Sequence, residues 1–245
     1  MGSMAYLKHR SRALVSWFGR AMNIRDKEIF DYEFAGVSVW LEPDEDHSIE
    51  TTRTMANLAE QCGGAAHGLY EFAPHCTMLY NIPLQQFLER SSLPPNATVE
   101  EHLSNASQDM LDHCVKGYEL RSGDINNRIM LHPMSLQCFR YPPFSCVITF
   151  LHLDHSNELE QLHHVIRESF PPDERHQSSR TLMPHMSLVY APEAQEDFLM
   201  KETARLASLK GGKSLLEPMR AKYLSVWSTE GKISDWKRIA KVELP

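Results

Sequence analysis

Hydrophobic and polar positions along this chain alternate with two periods. Two-residue alternation marks strands, and apolar residues every three to four positions mark helices. Phe34–Leu41 (FAGVSVWL) reads as a strand ending at Pro43. The acidic turn Asp44-Glu45-Asp46 follows, and Ser48 is expected to cap a helix over Ile49–Cys62 that Gly63-Gly64 stops. A strand over Pro74–Tyr80 comes next, then a helix near Leu84–Arg90. Ser91–Asp109 is polar, broken by Pro94-Pro95, and reads as an insertion or crossover. Strand-like runs follow at Gly117–Arg121, Arg128–Phe139 and Phe144–Leu153, the last apolar enough for the middle of a sheet. Asn157 with Glu160 resembles a capping box, and Leu159, Leu162, Ile166 and Phe170 keep helical spacing until Pro171-Pro172. The hydrophilic loop Arg175–Arg180 leads into a strand over Pro184–Tyr190. A helix over Glu193–Ser208 and two closing strands, Lys222–Ser228 and Trp236–Leu244, complete the chain.

Each half thus runs strand, helix, strand, helix, further strands. This pattern predicts an α+β fold of one domain over residues 1–245, duplicated and bilobal, with two antiparallel sheets lining a central cleft and helices outside. The first lobe centres on residues 34–90 and the second on 140–210, with strands shared between them; residues 1–30 form a basic extension.

Composition narrows the classes. The hydrophobic share of 42% and charged share of 23% are those of ordinary soluble protein. A net charge of −7 argues against a general nucleic-acid coat, which displaces counterions with basic stripes. The five cysteines include no C-x-x-C pair, which suits reduced thiols in an intracellular compartment. No apolar run approaches the length of a membrane span. Met1-Gly2-Ser3 reads as an added leader before a natural start at Met4. Between Tyr6 and Arg25 lie five Lys or Arg and no acidic residue, among Leu14, Val15, Trp17, Phe18 and Met22. That segment is either a helix packed on the domain or an organellar targeting helix. A cytoplasmic monomer is expected, with an organelle as the alternative. The sequons at Asn96 and Asn105 lack a secretory signal beside them.

The candidate chemistry sits in a repeated motif. Pro74-His75-Cys76-Thr77-Met78-Leu79-Tyr80 and Pro184-His185-Met186-Ser187-Leu188-Val189-Tyr190 both read Pro-His-x-(Ser/Thr)-x-x-Tyr. Strand alternation puts His75 with Thr77 on one face, and His185 with Ser187 on one face. An imidazole moves protons near neutral pH, and a hydroxyl beside it fixes an anionic oxygen. One neutral and one protonated imidazole across a phosphodiester would supply general base and general acid together. A metal site fits poorly, because no third strong donor accompanies the histidines and Cys76 alternates to the other face. Strict alternation would turn Tyr190 away from His185, unless the strand end at Ala191-Pro192 turns the ring back. Trp40 is either core or an aromatic platform for a nucleobase.

These paired motifs resemble the two-histidine phosphoesterase superfamily, especially its eukaryotic, plant-type cyclic nucleotide phosphodiesterases. The likeness extends to Val37-Ser38-Val39-Trp40 before Pro43-Asp44-Glu45, to the strand beginning Cys146-Val147, and to Asp235-Trp236-Lys237 through Leu244. It covers roughly Gly36–Leu244, leaving Ser91–Asp109 and the segment before Gly36 without counterpart. It implies metal-independent hydrolysis of 2′,3′-cyclic nucleotides or ADP-ribose 1″,2″-cyclic phosphate to the 2′-phosphate (1″-phosphate) product. No cofactor is implied, and the partners are small cyclic phosphates or RNA-derived ends, in RNA metabolism such as tRNA splicing. His75 and His185 match the catalytic residues, Thr77 and Ser187 the phosphate-binding hydroxyls, and Tyr190 and Trp40 aromatic positions of the substrate cleft. Cys76, Met78 and Ser145 depart from the usual residues. A 2′,5′-oligoadenylate or RNA-end phosphodiesterase, or a non-catalytic nucleotide-binding module, are the alternatives.

Overall fold

A computed structural model describes residues 35–46, 48–49, 51–53, 56, 74–122, 128–141, 144–151, 157–169, 184–192, 196–208 and 217–245. In chain order the elements are β1 (Val37–Pro43), β2 (His75–Ile82), α1 (Leu84–Leu88), α2 (Val99–Ser122), β3 (Met130–Leu131), β4 (Pro133–Tyr141) and β5 (Phe144–Leu151). They continue with α3 (Asn157–Ser169), β6 (His185–Pro192), α4 (Glu196–Ser208), β7 (Met219–Ser228), a short 3-10 turn (Ile233–Asp235) and β8 (Lys237–Glu243). The expected basic N-terminal helix, the stop at Gly63-Gly64 and the loop Arg175–Arg180 lie outside the described residues.

The strands run β3-β7-β1-β2-β6-β5-β4, with β8 also on β7, and every pairing is antiparallel. The α+β class holds. Instead of two separate sheets, the described strands form one path whose middle is the β2–β6 junction, where His75 pairs with Ser187 and Cys76 with Met186. Both histidine motifs therefore lie side by side at the centre.

One face of this sheet is aliphatic. Val37, Val39, Leu41, Cys76, Met186, Leu224 and Val226 are all fully buried there, β-branched or aliphatic residues that suit a pleated surface. They belong to one core with Leu103, Met110, Leu111 and Cys114 of α2 and Leu159, Leu162 and Ile166 of α3. The expected apolar stripe of α3 is thus its buried face. Apolar burial of this kind stabilises by about 25 cal/mol per Å² and is what fixes the strand faces.

Three local expectations are corrected. Ser48 does not begin a helix: Glu45 and Asp46 are already helical, and Asp44 caps them by accepting the Asp46 N–H on its side chain at 3.2 Å. Ser48 sits one turn in, its hydroxyl donating back to the Glu45 carbonyl. The polar stretch near Ser91–Asp109 ends in α2, and Gly117–Arg121, read as a strand, is the last part of that helix. Its start carries a reciprocal cap. The Thr98 Oγ1 accepts the Glu101 N–H at 3.2 Å, while the Glu101 carboxylate accepts the Thr98 N–H at 2.7 Å. Gly117 lets α3 approach closely, since a Cβ there would meet Val165 Cγ1 at 3.0 Å.

Candidate active site

The second face of the sheet is polar and aromatic, and the register determines who meets whom. His75 is the Cα partner of Ser187. Thr77 lies two residues on from His75 along β2 and His185 two residues before Ser187 along β6, so alternation puts both on the face of that pair. Cross-strand partners stand about 5 Å apart at Cβ and diagonal neighbours about 7–8 Å. The two histidines occupy one diagonal of this quartet and the two hydroxyls the other. His75 is 2% exposed, His185 8% and Ser187 4%, while Thr77 is half-buried. The four residues expected to act together are thus neighbours on one face. Local propensity does not bring together strands so far apart in sequence; the aliphatic face opposite fixes which way each side chain turns.

The same irregularity follows the hydroxyl in both strands. Trp40 pairs with Thr77 whereas Val39 pairs with Leu79, leaving Met78 as an extra residue. Ile148 pairs with Ser187 whereas Val147 pairs with Val189, leaving Leu188 extra. A one-residue bulge resets the alternation that follows it. Leu79 and Val189 therefore join the core, and Tyr80 and Tyr190 return to the face of the quartet, both half-buried. This is why Tyr190 shares the face of Ser187, which strict alternation denies it. Asn81, next to Tyr80, takes a left-handed φ of 54° that asparagine tolerates. Burial pushes the Tyr80 phenol up to about 12, so it remains a neutral hydroxyl.

Of the two readings of Trp40, core or aromatic platform, its burial matches the core. It is 2% exposed, and its ring stacks on His75 with centroids 3.6 Å apart and planes 13° from parallel. Trp227 of β7 stacks on it at 4.5 Å, and Trp236 lies at 5.9 Å in a tilted arrangement. β2 and β7 flank β1, so His75 and Trp227 reach the indole from opposite sides. No face is left open for a nucleobase. The ring is packed as core instead of standing as an open platform, with Trp227 of β7 and Trp236, just before β8, against it.

Behind this stack lies a residue that sequence reasoning passed over. Glu42, two positions after Trp40 on the same face, is 2% exposed. Its Oε1 accepts the Ser225 hydroxyl at 2.5 Å and the Trp227 indole N–H at 3.0 Å, and its Oε2 faces Arg238 Nη1 at 3.4 Å. Arg238 also lies over the Trp227 ring, 5.8 Å from its centroid. An acidic residue in phase with Trp40, on a strand with buried Val37, Val39 and Leu41, was the available signal.

Cys76 sits on the core face, as alternation requires. Burial pushes its thiol up to about 12, against a smaller opposing effect of the His185 backbone N–H, so it is a neutral packing residue. Among the described residues no three His, Cys, Asp or Glu side chains converge as a metal-binding group, and no helix is long and apolar enough to cross a membrane.

Two His-x-hydroxyl strands thus pair antiparallel at the centre of an α+β fold. The family described as cyclic phosphodiesterase-like protein matches residues 35–244, and the chain belongs to it: it is a phosphoesterase of the cyclic phosphodiesterase type. Comparison with curated proteins finds no match. Among solved structures it is similar to Usb1 of Kluyveromyces marxianus, at 9% identity over 85% of this chain and 97% of that one, with a TM-score of 0.43. It is similar to E. coli LigT complexed with phosphate, at 9% identity over 87% and 99%, TM-score 0.43. The Usb1 structure with uridine monophosphate matches at 11% identity over 89% and 99%, TM-score 0.41.

Proposed function

We propose that this protein opens cyclic phosphate esters of ribose, either 2′,3′-cyclic nucleotides or ADP-ribose 1″,2″-cyclic phosphate, to the 2′-phosphate (1″-phosphate) product. The observation that carries this reading is the pairing of His75 against Ser187 at the centre of the sheet, with Thr77 and His185 each two residues along on the same face. A diagonal of about 7–8 Å between the histidine positions leaves room for one phosphoryl group between two imidazoles. The hydroxyls on the other diagonal would donate to its non-bridging oxygens, where negative charge grows during attack.

In this mechanism one imidazole takes a proton from a water molecule as the water oxygen bonds to phosphorus. The bond from phosphorus to the departing ribose oxygen breaks, and the other imidazole protonates that oxygen. One proton is gained and one given, so a turnover leaves the two histidines with their protonation states exchanged until bulk water restores them. Five-membered ring strain assists, and the quartet supplies each role without a metal ion. Tyr190, returned to this face by the bulge, is proposed to contact the nucleoside side of the substrate. The chain is proposed to act as a single-domain monomer.

A product-resolved assay on 2′,3′-cyclic nucleotides, ADP-ribose 1″,2″-cyclic phosphate and a 2′,5′-linked dinucleotide, with chelator present throughout, tests this. The expected outcome is turnover of a cyclic ester to the 2′-phosphate or 1″-phosphate. Preference for the dinucleotide would transfer the site to a linear phosphodiester. Loss of all turnover in chelator would overturn the metal-independent mechanism.

A further inference from the structure

The histidine pair is symmetric in sequence, but one side of it is buttressed in a way the motif does not encode. His75 lies against the Trp40 indole at 3.6 Å, Trp40 against Trp227 at 4.5 Å, and Trp227 is tied by its indole N–H to Glu42 at 3.0 Å. Ser225, the Cα partner of Trp40, donates to the same carboxylate oxygen and accepts from the Trp227 indole at 3.0 Å. Arg238 completes the group at its half-exposed end, paired with Glu42 at 3.4 Å. The series passes from β8 through β7 and β1 to β2.

We propose that Glu42 is a positioning residue for His75. A buried carboxylate held by a hydroxyl, an indole N–H and a guanidinium fixes the orientation of Trp227. A fixed Trp227 leaves Trp40 one position between two rings, and Trp40 then sets the tilt of the His75 imidazole. This deepens the phosphoesterase reading and rests on it for its catalytic consequence. The physical reason is geometric. Proton transfer needs the imidazole nitrogen within hydrogen-bond reach of the reacting oxygen. A ring on a strand keeps its Cβ, yet χ rotation alone displaces the nitrogen by an ångström or more. Glu42 touches no substrate atom and acts only through the stack.

The variants Glu42→Gln and Glu42→Ala test the idea, with Lys237→Ala at the exposed Glu100 pair as control. Gln keeps an acceptor for Ser225 and Trp227 but loses the charge facing Arg238; Ala removes the anchor. Two readouts are independent of turnover. The Trp40–Trp227 stack should give an exciton couplet in far-ultraviolet circular dichroism. The His75 ring protons should be shifted upfield by the Trp40 ring current in NMR. Glu42→Ala is expected to lose the couplet, to move the His75 ring protons downfield, and to lower kcat by roughly 10- to 100-fold, the size of effect a misplaced reacting group produces. KM should stay within about threefold, because ground-state contacts are untouched. Glu42→Gln should retain the couplet and most of kcat. If Glu42→Ala does not fold, Ser225→Ala replaces it with the same expectations. Unchanged His75 ring shifts in a folded variant that has lost the couplet would overturn the proposal, as would kcat within twofold of the parent. Absence of turnover in the parent on every cyclic phosphate would sink the function reading instead, while the couplet and ring shifts would still decide the positioning role.

Discussion

Acid should destabilise this protein through a residue that takes no part in the chemistry. His163 on α3 is 6% exposed. Burial, then the charges of Arg167 and His164, lower its pKa to about 4. In the unfolded chain an imidazole titrates near about 6.5. Between these values the unfolded state binds more protons than the folded one, so stability falls as pH falls. The contribution is fully present above about 6.5, is lost progressively toward pH 4, and levels off below that. At about 1.4 kcal/mol for each unit between the two values, the loss approaches about 3.5 kcal/mol. That is a large part of the roughly 5–15 kcal/mol by which folded domains usually exceed their unfolded chains. Urea unfolding at pH 7.5, 6.0, 5.0 and 4.5 should therefore give a steeper pH dependence for the parent than for His163→Gln, whose neutral side chain does not titrate. The difference should grow by about 2 kcal/mol across this range. Parallel curves for the two proteins would refute the reasoning. The result also matters for kinetics, because it separates loss of folded protein from loss of a catalytic protonation state on the acid limb of a rate profile.

Gly36→Ala should be destabilising by about 1–3 kcal/mol in urea unfolding, since its φ of 84° is left-handed and a Cβ would meet the Ile82 carbonyl at 2.5 Å. A loss below about 0.5 kcal/mol would mean that the β1–β2 bulge is softer than its register implies. Cys76 and Cys114, whose thiols burial pushes up to about 12 and about 11, should both resist a thiol reagent at pH 8 in the folded protein and react once it is denatured. Labelling of either in the native state, read by mass spectrometry, would contradict their burial.

How much of this was legible beforehand follows from the range of each interaction. The histidine strands were legible because their signal is local: a proline, alternating apolar residues and a hydroxyl two positions after each histidine. Their adjacency across β2 and β6 was not, because register is set by the aliphatic face of strands far apart in sequence. Tyr190 was ambiguous for a related reason. A bulge is one extra residue relative to a partner strand, and no partner is visible in a single segment. Trp40 was recognisable as an aromatic in the first strand. Its burial depends on Trp227 and Trp236, which arrive only with the closing strands. The helix α2 was missed because its sequence is mostly polar and Gly117 interrupts it, although Thr98 and Glu101 carried a capping signal. Glu42 was passed over although it is in phase with Trp40, because its burial depends on Ser225, Trp227 and Arg238 of the distant closing strands.

The central claim is that His75 and His185 work on one phosphoryl group between them. Single-turnover hydrolysis of a 2′,3′-cyclic nucleotide by the parent, His75→Ala and His185→Ala, with products separated at each time point, tests it most directly. The account predicts that each substitution slows the chemical step at least about 10²-fold, and that the double variant is little slower than either single one, as for groups that act as a unit. Rates for either single variant within a few-fold of the parent would contradict it.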